Sequence, residues 1–88
     1  GVEWAVVSGI YKSNLVLSVR NVGYVRSAGK VVKEAFGSLG SAGGHTSMAK
    51  AIMPVSKLCK EWNTGSRNIR LLNPKIQHAF LKALRNSD

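Results

Sequence analysis

The chain predicts a single small α/β (α+β) domain, a mixed β-sheet of few strands packed with helices. Three observations lead there. Two runs rich in β-branched and aromatic residues stand close together near the start. A nine-residue amphipathic stretch ends at Gly37. A terminal stretch opens on Asn73-Pro74 and carries apolar residues at helical spacing. With 88 residues the chain holds one core of modest size. Its hydrophobic content of 44% is that of a folded protein rather than a disordered one.

Glu3 to Tyr11 reads as a strand, followed by the polar turn Lys12-Ser13-Asn14 and a second strand from Leu15 to Asn21. Alternation places Leu15, Leu17 and Val19 on one face and Val16, Ser18 and Arg20 on the other. The short turn makes the pair a hairpin. Ser27 caps a helix over about Ala28–Phe36, with Val31, Val32, Ala35 and Phe36 as its apolar stripe and Gly37 as its stop. Gly29 weakens that helix slightly. A small-residue loop follows, and alternation then suggests a third strand over Met48–Val55, which Pro54 confines to an edge or an end. Residues 56–72 are ambiguous, with a turn at Thr64-Gly65-Ser66. Asn73-Pro74 opens a last helix that buries Ile76, Phe80, Ala83 and Leu84. Trp4, Tyr11, Phe36 and Trp62 are assigned to the core or its margin, and His78 to the surface.

Charge narrows the function classes. Thirteen Lys and Arg face four Asp and Glu, a formal net charge of +9. Such a surface attracts polyanions. The four acids, Glu3, Glu34, Glu61 and Asp88, are scattered, so neither a carboxylate dyad nor a two-metal centre is supported. Cys59 is the only cysteine, which excludes an internal disulfide and a cysteine-based metal site. A cytoplasmic location fits best. No signal-peptide pattern or membrane-length apolar run is visible, so no membrane partner is expected. The chain opens on Gly1 rather than Met and reads as an excised domain.

The stretch Gly37 to Ala49 carries the chemistry. Gly43 and Gly44 let the backbone take positive φ and approach a ligand closely, and His45 adds a titratable donor directly after them. Such a loop suits an anion, above all phosphate. Read from the residues alone, it is equally a plain connection with a satisfied histidine. Arg20 is by default an exposed strand charge, Ser18 either supports it or simply alternates outward, and Thr46 and Ser47 either bond phosphate or cap the next strand. Lys50 is a solvated residue near the loop and a secondary candidate. Tyr24 is a candidate for base stacking. Lys33, Lys57, Lys60, Arg67 and Arg70 are candidates for a basic face.

Ser18-Val19-Arg20 on a strand, then a helix, then Gly37 ahead of Gly43-Gly44-His45 with Met48-Ala49 after it, resembles the C-terminal DHH-associated domain of DHH-family phosphoesterases. These include RecJ-like nucleases, oligoribonuclease-phosphatases, cyclic dinucleotide phosphodiesterases and exopolyphosphatase-like proteins. The resemblance covers roughly positions 4 to 55. Here Ala42 replaces the usual first glycine, Asn21 a serine and Lys50 a glycine; the Ala-Gly-Gly-His form is similar to the exopolyphosphatase-related branch. The resemblance implies that residues 1–88 are a fragment of a larger phosphoesterase. It implies an N-terminal DHH domain, missing here, that holds manganese or magnesium and hydrolyses the substrate. This domain would grip a phosphate-containing substrate (nucleic acid, nucleotide or polyphosphate) through Arg20, Ser18, Gly43, Gly44 and His45, with Thr46 and Lys50 secondary and no catalysis of its own. Two other readings stand beside it: a free-standing basic nucleic-acid-binding module, and an assembly domain whose loop binds nothing.

Overall fold

A computed structural model describes residues 3–22, 27–63 and 69–86. The expectations on Tyr24, Thr64-Gly65-Ser66 and Arg67 lie outside the described residues. Chain order is β1 (Glu3–Tyr11), β2 (Asn14–Val22), α1 (Ala28–Phe36), β3 (Ser41–Gly44), β4 (Met48–Pro54), α2 (Val55–Glu61) and α3 (Ile69–Asn86). Among the described residues the strands form one sheet in the order β1-β2-β4-β3. This is an α+β domain.

The hairpin β1–β2 forms as its composition demands, in a register that sets Tyr11 opposite Asn14 and Val6 opposite Val19. Lys12 and Ser13 turn the corner with positive φ, the geometry that matches strand twist in a two-residue hairpin. Beyond α1 the structure departs from expectation. Ser41–Gly44 is an edge strand rather than a loop, and it pairs with β4 from Ser41 opposite Ile52 to Gly44 opposite Ala49. β4 then inserts between β3 and β2, antiparallel to both. The sheet is therefore antiparallel throughout, not mixed. The helical crossover does make β2 and β3 run the same way, but β4 separates them. Pro54 ends β4, as a residue without a ladder N–H must.

One face of the sheet carries the core. Leu15, Leu17 and Val19 of β2 and Ala49, Ala51 and Met53 of β4 are buried against Val31, Val32 and Phe36 of α1, Leu58 of α2, and Leu72, Ile76, Phe80 and Ala83 of α3. Each large apolar side chain so buried contributes roughly 1.5–3 kcal/mol. Trp4 meets Phe80 edge-on with ring centroids 5.3 Å apart. Tyr11, by contrast, is 65% exposed on the outer face, outside the core assigned to it. Helix α3 begins at Ile69, ahead of Asn73, and Pro74 lies inside it. The burial of Leu72 carries the helix back past the proline. Asn73 does not cap it; its Oδ1 accepts a hydrogen bond from the Ser8 hydroxyl at 3.1 Å and ties α3 to β1.

Helix α1 sits where the site is built. Ser27 caps it from extended backbone (φ −72°, ψ 126°), and Gly37 ends it in right-handed geometry (φ −61°). Gly29 is a packing requirement: a Cβ there would lie 2.6 Å from the Gly44 carbonyl oxygen. The helix therefore lies directly on β3. Gly29→Ala is expected to lower stability by about 1–3 kcal/mol, the usual effect of overpacking. Gly9→Ala, where a Cβ meets nothing within 4 Å, should change it by less than about 0.5 kcal/mol. Urea denaturation of both variants checks the pair.

Candidate anion-binding site

The strand register assembles the polar residues on the outer face of the sheet. Arg20 stands opposite Met48, with Ala5 on its other side; Ser18 stands opposite Lys50, with Val7 on one flank and Gly43 on the other. Neighbours across a ladder share a face. Arg20, Ser18, Lys50 and the Gly43 backbone thus occupy two adjacent rows. Arg20 is exposed, and its guanidinium lies 3.9 Å from the Met48 sulfur. That contact holds it weakly and leaves its planar fork available to an oxyanion.

The turn after Gly44 is held from three sides. The His45 N–H donates to the Met48 carbonyl at 2.7 Å, closing the hairpin. The Asn21 N–H donates to Ser47 O at 2.9 Å, and Asn21 itself is only 2% exposed. From α1, the Ala28 N–H donates to Thr46 O at 2.8 Å and the Gly29 N–H to His45 O at 2.9 Å. The Lys30 N–H reaches the Ser27 hydroxyl and the Val31 N–H the Ser27 carbonyl. The amides of Ala28, Gly29 and Lys30, which have no partner within the helix, are thereby engaged inside the protein, and that of Val31 makes the first helical bond. An anion at this place has to be met by side chains and by the strand, not by the end of α1.

Gly43 and Gly44 have φ of 156° and 157°, a region open almost only to glycine. The two differ in surroundings. A Cβ on Gly44 would strike Ala49 and the Met48 carbonyl, whereas one on Gly43 would meet nothing within 4 Å. His45 and Thr46 are exposed. Between β3 and α1 lies an open concavity of about 550 Å³, walled by Ser27, Lys30, Lys33, Gly43, Gly44 and His45.

The candidate residues therefore fall into two groups that share β3. Gly43, Gly44, His45 and Thr46 line the concavity. Arg20, Ser18 and Lys50 lie on the open sheet face beside Gly43 and do not reach into it. Two strand spacings, about 10 Å, separate β2 from β3. Lys30 was not singled out by sequence, and Gly29 only as weakening the helix. The signal for Lys30 was its spacing of three from Lys33 on a capped helix, which puts both on one side. Among the remaining basic candidates, Lys57 and Lys60 lie on α2, which follows the far end of β4, and Arg70 lies on α3. Among the described residues no three of His, Cys, Asp or Glu come together as metal ligands. Among them, too, no helix is long and apolar enough to cross a membrane.

Comparison of the chain with protein-family models, curated proteins and solved structures gave no match.

The glycine pair supplies its own check. Gly44→Ala is expected to destabilise the domain by at least about 1 kcal/mol more than Gly43→Ala, because both carry the backbone strain but only Gly44 adds a steric collision. Thermal denaturation of the two variants measures the difference.

Proposed function

We propose that this chain is the substrate-gripping domain of a metal-dependent phosphoesterase of the DHH kind, holding a phosphodiester or phosphoanhydride for hydrolysis by a separate catalytic domain. The observation that carries the reading is the register: Arg20 and Ser18 of β2, Lys50 of β4 and Gly43 of β3 lie in two neighbouring cross-strand rows, with His45 at the rim. Arg20 offers a bidentate fork to two phosphate oxygens, and the His45 ring donates to another. The positive-φ glycines carry no side chain to keep the phosphate away from the strand. The metal and the attacking water belong to the separate domain, and no hydrolytic step is assigned to residues of this chain.

The test is a titration of isotopically labelled protein with a short oligoribonucleotide and, separately, with polyphosphate, followed by NMR. Shifts should centre on Arg20, Gly43, Gly44 and His45. Arg20→Ala should weaken binding about ten- to a hundredfold, as expected for loss of a charge-assisted contact of roughly 1.5–3 kcal/mol. His45→Ala should weaken it by a smaller factor. Diffuse shifts that fade steeply with salt and ignore both substitutions would instead identify a basic nucleic-acid-binding module. Metal-dependent hydrolysis by the purified chain would overturn the division of labour.

A further inference from the structure

The concavity between α1 and β3 is a second place where charge and geometry favour an anion. Lys30 and Lys33, one helical turn apart, enter it from α1. Ser27 and Thr46 add hydroxyls at its end. From the other wall come backbone donors. The bond between the His45 N–H and the Met48 carbonyl marks that residue pair as a hydrogen-bonded one. Alternation along an antiparallel ladder then turns the N–H and C=O groups of Gly44 and Ala42 away from β4, toward the free edge of the sheet, where the Gly44 carbonyl lies against Gly29 of α1. Both residues line the concavity. The nearest acid on α1, Glu34, lies elsewhere: it borders a different hollow together with Glu61 and Trp62. The groove's lining is thus cationic through Lys30 and Lys33, carries backbone and hydroxyl donors, and includes no carboxylate.

We infer that this groove is a second phosphate subsite, with Lys30 and Lys33 as its cationic groups, and that the ligand is a chain of at least two successive phosphates laid across β3. The inference rests on the reading of Arg20 and His45 as the first subsite. The wall Gly43–His45 is common to both, so one phosphate on the outer face and the next in the groove are bridged by a single strand. A lone orthophosphate fills one subsite only. The shared chemistry is a phosphate chain, supplied either by inorganic polyphosphate or by an oligonucleotide backbone.

The experiment is calorimetric titration of the 88-residue protein with orthophosphate, tripolyphosphate and a trinucleotide carrying a 5′-phosphate, at one fixed ionic strength. The variants are Lys30→Gln/Lys33→Gln, Arg20→Ala, and Lys57→Gln/Lys60→Gln as a control of equal charge change on α2. Tripolyphosphate or the trinucleotide, whichever is the true source, should bind the unaltered protein at least tenfold tighter than orthophosphate. Lys30→Gln/Lys33→Gln should remove most of that gain and leave orthophosphate binding unchanged, while the α2 control leaves the gain intact. Arg20→Ala should weaken all three ligands. Equal losses in the groove variant and the α2 control would overturn the subsite, since charge alone would explain them; so would the absence of any gain over orthophosphate. If Arg20→Ala has no effect while the groove variant abolishes binding, the first subsite fails and the groove stands alone. Circular dichroism of each variant separates lost binding from lost folding.

Discussion

Everything near the candidate site depends on the seating of α1 upon the β3–β4 turn. Two helix amides, those of Ala28 and Gly29, bond the carbonyls of Thr46 and His45. The absence of a side chain at Gly29 lets helix and strand come close enough for those bonds to form. A turn carbonyl left without a donor under a packed helix would cost about 1–3 kcal/mol, and so would a stranded helix amide. Each satisfies the other. The result is a turn whose backbone is fixed from both ends and from Asn21 below, while its side chains, His45 and Thr46, remain free to meet a ligand.

The same seating determines which groups are offered. A helix pointing its open amides at solvent would itself attract an anion. Here the amides of Ala28, Gly29 and Lys30 are bonded within the protein, and the attraction passes to side chains on either side of β3. The edge strand is what makes this possible. Its residues are small and its glycines lie outside the range of ordinary side chains, so it forms a low ridge with Arg20 and Lys50 on one side and Lys30 and Lys33 on the other.

Much of this was legible in the sequence, and the remainder was not for definite reasons. β1, β2 and α1 follow from local chemistry: β-branched alternation, a serine cap, an apolar stripe. β3 does not. Ser41-Ala42-Gly43-Gly44 has no strand propensity and becomes a strand only because β4 pairs with one side of it and α1 lies along it. The sheet order is likewise non-local, since a helix between two strands says nothing of a third strand inserted between them afterwards. The start of α3 was hidden by an apparent cap, Asn73-Pro74, whose asparagine is occupied by Ser8. Arg20, Ser18, Lys50 and Gly43 were each singled out as residues. That they share two rows on one face is a matter of register, and the β2–β4 part of it depends on pairings across more than twenty residues of chain. The part played by Lys30 required the packing of α1 on β3.

The outer face of the sheet has a consequence for how copies of this chain behave toward one another. Val7 and Tyr11 of β1 are 68% and 65% exposed there, Met48 and Ile52 of β4 are exposed two strands away on the same face, and β1 forms the rim of the sheet. Apolar surface bordering a long strand edge invites association between molecules. What opposes it is the net charge of +9, a mutual repulsion that reaches about 10 Å at 0.1 M salt and about 3 Å at 1 M. Colloidal stability and anion attraction thus draw on the same lysines and arginines. Added salt, or a bound polyanion that neutralises them, weakens the barrier between neighbouring molecules as it weakens their hold on phosphate.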